Sequence, residues 1–148
     1  MESTAFVAVI RTDEVPAHER SGLSGAGALA VLTLPELAAC AEPDDRVVVL
    51  ADPGQSARMG AVIRAVEGLH GVVVASVRPV TDTLKRVNED GALTGTADRE
   101  HHRFVTLPVA TRLGLLRDAV RREPGARTTG EILAAVVAGG ATVVASAG

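Results

Sequence analysis

Continuous apolar runs alternate along this chain with segments whose apolar residues return every three or four positions. Phe6 to Ile10, Arg46 to Leu50 and Val72 to Val77 are unbroken or nearly unbroken runs of β-branched and aliphatic residues. Runs of that length without alternation predict strands buried on both faces, as in a parallel sheet. Between the second and third runs, Met59, Val62, Ile63, Val66 and Leu69 fall on one stripe of a helix that Gly68 or Gly71 ends. Thr33 with Glu36, and Thr128 with Glu131, have the spacing of capping boxes. They predict short helices over Leu37 to Ala41 and Ile132 to Ala138, the latter stopped at Gly139-Gly140. Leu113, Leu116 and Val120 mark another helix, ended by Glu123-Pro124-Gly125. Arg103 to Leu107 reads as a strand stopped by Pro108, and Thr142 to Ala145 as a last strand. Ala28 to Leu32 fits either a short strand or the start of a helix, and Arg11 to Ala28 reads as irregular. Strands alternating with helices at these spacings predict an α/β sandwich around a mostly parallel sheet.

One stretch breaks the pattern. Residues 79–99, PVTDTLKRVNEDGALTGTADR, read as two polar-decorated strands joined at Asp90-Gly91, a dipeptide that favours a tight hairpin because glycine accepts positive φ. Thr81, Asp82, Thr83, Lys85, Arg86, Asp98 and Arg99 crowd it, so it is predicted to project as an arm rather than join the core.

Composition narrows the class. The 148 residues are enough for one domain with a core that needs no disulfide or metal. Cys40 is the single cysteine and cannot form an internal bridge; among alanines, it reads as a small buried hydrophobe. A net charge of −3 and two aromatics, Phe6 and Phe104, argue against a nucleic-acid surface. The N-terminus lacks the basic lead of a signal peptide, and no apolar run approaches membrane-spanning length. A soluble cytoplasmic domain is expected. His101 and His102 are adjacent, so on a strand they face opposite ways and make a poor chelating pair; no metal site is expected. Ser21-Gly22-Leu23-Ser24-Gly25-Ala26-Gly27 could be a displaced phosphate loop with Arg11 or Arg20 supplying charge, but it lacks the Lys-Ser/Thr ending of a Walker loop and reads better as a surface loop.

The arm also resembles a known family. Pro79-Val-Thr-Asp-Thr-Leu-Lys85, a hairpin, and Thr96-Ala-Asp-Arg99 are similar to the P-V-x-D-T-x-K and T-x-D-R halves of the arm of 2-C-methyl-D-erythritol 4-phosphate cytidylyltransferases. Those enzymes join CTP to a sugar-alcohol phosphate in isoprenoid precursor synthesis. The resemblance runs from Arg46 to Gly148 and implies a three-layer α/β/α, Rossmann-like nucleotidyltransferase fold: one reduced domain, residues 1–148, with the arm at about 79–99. It places Asp52 beside the family's aspartate near ribose and metal. It gives Thr83, Lys85 and Arg99 to a phosphate site shared across a dimer, or to the arm's own shape and interface. It implies a homodimer clasped by the arms, or a heterodimer with a full-length homologue, and Mg²⁺ if the chain is active.

Departures from the family pattern point away from the reaction. The family follows its first strand at once with a glycine loop that wraps the CTP phosphates. Here Arg11-Thr-Asp-Glu-Val-Pro-Ala-His-Glu-Arg20 follows, placing Asp13, Glu14 and Glu19 where a triphosphate would sit. Thr106-Leu-Pro108-Val109 keeps the proline of a T-P-Q segment and loses its glutamine. The helix start at Arg127-Thr-Thr-Gly-Glu131 lacks the family's paired acids, and the chain ends at Ser146-Ala-Gly148, before the family's N-I-K-x-T segment. The resulting expectation is a catalytically inactive relative acting as a dimeric binding or partner module. The alternative is an active enzyme moving CMP from CTP to an alditol phosphate.

Overall fold

The computed structural model describes residues 5–11, 14–79 and 103–146, with backbone alone at 77–79 and 103–105. The arm, with Thr83, Lys85 and Arg99, lies outside the described residues, as do Asp13, His101 and His102.

The elements run β1 (Phe6–Ile10), α1 (Ala17–Gly25), β2 (Ala28–Thr33), α2 (Leu34–Leu37), β3 (Val47–Ala51), a 3-10 turn (Ser56–Arg58), α3 (Met59–Val66), β4 (Val72–Pro79), β5 (Arg103–Arg112), α4 (Leu113–Arg122), α5 (Thr129–Ala138) and β6 (Thr142–Ser146). The strands form one sheet in the order β2-β1-β3-β5-β4-β6. Every pairing is parallel except those of β5, which runs antiparallel to both β3 and β4.

Each face of the sheet is covered. Val7 and Val9 of β1, with Val48 and Leu50 of β3, pack under α2, α4 and α5 through Leu34, Leu37, Leu113, Leu116, Ile132 and Val136. Their neighbours Phe6, Ala8, Ile10, Val47, Val49 and Ala51 point the other way, onto Leu23 of α1 and Met59, Val62, Ile63 and Val66 of α3. All five residues of β1 and all five of β3 are therefore buried. This double cover explains the unbroken apolar runs and makes the three-layer α/β/α architecture.

Several elements differ from the sequence expectation, each for a local reason. Residues 17–25 are helical rather than irregular. With Leu23 its only buried residue, α1 has no apolar stripe for periodicity to detect. The Ser21–Gly27 segment is thus the end of a helix and its turn, closed at Gly27 with φ +109°, and not a surface loop. α2 occupies Leu34–Leu37, the single turn right after its Thr33 cap, and ends at Leu37, where the expected span over Leu37 to Ala41 begins. Cys40 accordingly lies beyond α2, half-buried against the core. α3 stops at Val66 ahead of Gly68, at φ +78°, leaving Leu69 beyond the helix and 40% exposed.

Pro108 does not stop β5. The ladder with β4 slips where Ala75 opposes Val109 and Ser76 opposes Thr106, so Leu107 and Pro108 bulge out of register. A bulge is where a strand tolerates proline, since no ladder partner needs its missing N–H. The Ser76 hydroxyl donates to the Pro108 carbonyl at 2.8 Å, and the Leu107–Pro108 bond is cis.

Arginines fasten the edges of the layers to backbone carbonyls. Arg112 donates to the carbonyls of Leu69 and Asp45 at 2.8 and 2.9 Å, tying the end of α3 to the start of β3. Arg117, on the inner side of α4, donates to the Cys40 and Glu42 carbonyls and to the Asp44 carboxylate.

Both capping boxes are present. At α5, the Glu131 N–H donates to Thr128 Oγ1 at 3.1 Å, and the Thr128 N–H donates to Glu131 Oε1 at 3.0 Å. At α2, the Thr33 N–H donates to Glu36 Oε1 at 2.8 Å. These backbone donors hold both glutamates below the ordinary carboxylate range, Glu131 through the N–H groups of Thr128 and Arg127 and Glu36 chiefly through that of Thr33. A carboxylate whose folded pKa is lowered contributes stability above its unfolded pKa and loses it as pH falls through the folded value. We therefore expect Glu131→Gln to lower the urea midpoint at pH 7, with the gap to wild type closing as pH drops below about 4. Equal midpoints at pH 7, or a gap that widens in acid, would contradict the capping role.

Candidate functional site

A sheet whose strand order reverses leaves a crevice at the reversal, outside the carboxyl ends of the two flanking strands. Here the chain leaves β1 for β2 on one side and leaves β3 for the β5-β4-β6 side on the other. The reversal, the position that strand order assigns to the crevice, therefore falls between the ends of β1 and β3. Their last residues, Ile10 and Ala51, are register partners, and the Arg11 N–H extends the ladder by donating to the Ala51 carbonyl at 2.9 Å.

The residues just past these two ends are Arg11 and Asp52, and they meet. Arg11 Nε donates to Asp52 Oδ1 at 3.1 Å and Arg11 Nη2 to Asp52 Oδ2 at 3.0 Å. Two parallel donors on two carboxylate oxygens make a fork, the strong form of this pair. The remaining arm of the guanidinium, Nη1, donates to Thr129 Oγ1 at 2.8 Å. Thr129 is the first residue of α5, so a cation stands at the positive end of that helix, and the Asp52 carboxylate offsets the repulsion.

The loop after β3 is pinned from three directions. The Asp52 N–H donates to Gln55 Oε1 at 2.8 Å, and Gln55 Nε2 reaches the Leu107 carbonyl in the bulge at 3.2 Å. Glu19 of α1 accepts from the Gly54 N–H at 2.6 Å. That N–H is presented by a turn through Gly54, whose φ of +88° suits glycine. Arg20 is turned away from the crevice and donates to the Val31 carbonyl at 2.7 Å.

Of the residues singled out from sequence, the structure places Asp52 at the crevice, while Thr83, Lys85 and Arg99 fall outside the described residues. Sequence reasoning saw charge in Arg11 and Glu19 but not their partners, and it passed over Gln55 and Thr129. The available signal was positional: Arg11 and Asp52 are each the first polar residue after an apolar run. Only the adjacency of β1 and β3 turns that into a contact.

Chemically, the fork is a closed, neutral pair with a further carboxylate, Glu19, alongside. Nucleotidyl transfer requires uncompensated positive charge aimed at the phosphates, and Arg11 is compensated. Both Asp52 oxygens accept from Arg11, so a Mg²⁺ bound here would share that carboxylate with the guanidinium.

A doubly wound, mostly parallel sheet with its polar groups gathered at the strand reversal defines a Rossmann-like domain of the nucleotidyltransferase type. The chain belongs to the 2-C-methyl-D-erythritol 4-phosphate cytidylyltransferase family, whose sequence profile matches residues 36–147. It is 38% identical over 82 residues to the 2-C-methyl-D-erythritol 4-phosphate cytidylyltransferase of Saccharopolyspora erythraea; the match takes in 52% of this chain and 36% of that relative. The chain thus spans little more than a third of the length of that curated relative. Two solved structures share the fold. One, the 2-C-methyl-D-erythritol 4-phosphate cytidylyltransferase of Thermus thermophilus, aligns with a TM-score of 0.55 at 22% identity, over 99% of this chain and 72% of its own. The other, a 4-diphosphocytidyl-2C-methyl-D-erythritol synthase, aligns with a TM-score of 0.58 at 18% identity, over 97% and 72%. Among the described residues no helix is long and apolar enough to cross a membrane.

The pair is partly shielded, with side-chain exposures of 28% for Arg11 and 37% for Asp52. A double-mutant cycle of Arg11→Gln and Asp52→Asn, read by urea denaturation, is expected to give a coupling of about 1 kcal/mol, at the upper end for exposed pairs because the geometry is forked. The coupling should shrink with added salt. Strict additivity of the two substitutions would mean that the fork does not persist in solution.

Proposed function

We propose that this chain is a catalytically silent member of its family, serving as a dimeric binding or partner module. The observation that carries this reading is the Arg11–Asp52 fork, which fills the crevice with the protein's own charges. Glu19, held against the Gly54 N–H, adds a carboxylate that repels a triphosphate. In this reading Thr83, Lys85 and Arg99 form an anion site on the arm, and the arm joins two copies of the chain or one copy to a full-length homologue.

The second reading is an active cytidylyltransferase moving CMP from CTP to an alditol phosphate. The family match over residues 36–147, which includes Asp52, favours it. Incubation with CTP, Mg²⁺ and methylerythritol phosphate, followed by a pyrophosphate assay, separates the two. Losing one charge-stabilising donor costs about a hundredfold or more in rate, so we expect turnover at least that far below an ordinary enzyme. Turnover of roughly 1 s⁻¹ or faster would overturn the silent reading in favour of the active one.

The dimer rests on surface chemistry. A two-stranded ribbon alone in water is marginal, and the arm, read from its sequence as such a ribbon, carries Val80, Leu84, Val87 and Leu93 among its polar residues. Pairing about a two-fold axis would bury them and satisfy the ribbon edges. Size exclusion with light scattering should give twice the 15.1 kDa chain mass. Deleting Thr81 to Asp98 should leave a monomer or an insoluble product. A full-length chain that stays monomeric at high micromolar concentration would remove the dimer from the proposal.

A further inference from the structure

The crevice at the strand reversal is the place where this fold takes ligands, and in this chain a salt bridge spans it. Each nitrogen of the Arg11 guanidinium donates once, Nε and Nη2 to Asp52 and Nη1 to Thr129 Oγ1. Arg20, the other cation that follows β1 closely, is held away from the crevice by the Val31 carbonyl. A phosphate-bearing ligand entering here meets a cation whose charge and fork are already taken. The same fork geometry that fits a carboxylate fits a phosphate, so the two anions compete for one donor set.

We infer that the Arg11–Asp52 pair is an autoinhibitory latch: a phosphorylated ligand gains the Arg11 fork only by displacing Asp52. This deepens the silent-member reading, on which it rests, by naming what holds the crevice shut. The latch is anchored on both sides. Thr129 ties Arg11 to the first turn of α5, a turn itself fixed by the Thr128–Glu131 box. Asp52 sits in a loop held by its own N–H to Gln55 and by Glu19 on Gly54. Opening therefore requires only that the Asp52 side chain turn away, since neither backbone anchor involves its carboxylate.

The latch can be tested without catalysis, using inorganic tripolyphosphate as the probe and no divalent cation. Calorimetric titration of the full chain at low ionic strength should show weak binding to wild type. Asp52→Asn, which keeps the side-chain shape and frees the fork, should bind at least about fivefold tighter, the gain expected from releasing a forked pair. Arg11→Gln should bind more weakly than wild type. In the Arg11→Gln background, Asp52→Asn should bring little or no gain, which separates release of a latch from the mere loss of a negative charge. Asp52→Ser provides a second latch-free variant, and far-UV circular dichroism checks that each variant is folded. Unchanged affinity in both folded Asp52 variants, or a gain that survives without Arg11, would overturn the latch. Neither result bears on turnover. Conversely, pyrophosphate release by wild type would overturn the silent reading while leaving the variant series to decide the latch by itself.

Discussion

Burial of both faces of β1 and β3 is the constraint from which the rest of this structure follows. A strand covered by helices on either side has no solvent-facing positions, so a polar side chain within it would be desolvated without a partner. Phe6 to Ile10 and Val47 to Ala51 obey this without exception. Any polar chemistry the central strands support is displaced to the first residue beyond the cover. Those residues are Arg11 and Asp52. The in-register pairing of Ile10 with Ala51 then delivers the two charges side by side at the crevice. The fork is thus a direct consequence of how the core is packed, and it is not an independent surface accident.

That consequence bears on electrostatics. Nucleotidyl transfer works by holding excess positive charge in place before the phosphates arrive. A crevice whose engaged guanidinium is neutralised by a carboxylate offers no such excess, and Glu19 tilts the balance further toward negative. The N-terminus of α5 is a source of positive potential, and of its donors the Glu131 N–H is given to Thr128 Oγ1 while the Thr128 N–H before it is given to Glu131.

The sequence made the strands and the capped helices legible because each rests on a strong local signal. Double-faced burial writes itself as unbroken apolar runs in β1, β3 and β4. Thr128 with Glu131 and Thr33 with Glu36 encode their caps within a single helical turn. Elsewhere the signal was weak or non-local. α1 buries Leu23 alone and so leaves no stripe to read. Pro108 reads as a stop, yet the bulge opposite Ser76 gives it a place inside β5. The candidate site was half legible. Asp52 stood out beside a resemblance, but its partner is forty-one residues upstream, and only sheet topology joins them. Gln55 and Thr129 act through contacts with no sequence pattern at all.

These levels meet at Thr129. Its identity as the first residue of α5 is set by the capping box before it, a purely local effect. Its height above the sheet is set by Ile132, Leu133 and Val136, buried in the core that α5 shares with α4 and β5. Its hydroxyl then fixes the third arm of Arg11. A local cap, a non-local core and a crevice ion pair are therefore mechanically coupled through one side chain. Loosening the cap would let α5 shift, and the guanidinium would lose the contact that keeps it aimed at Asp52. The stability of a helix end and the state of the crevice are one problem in this protein.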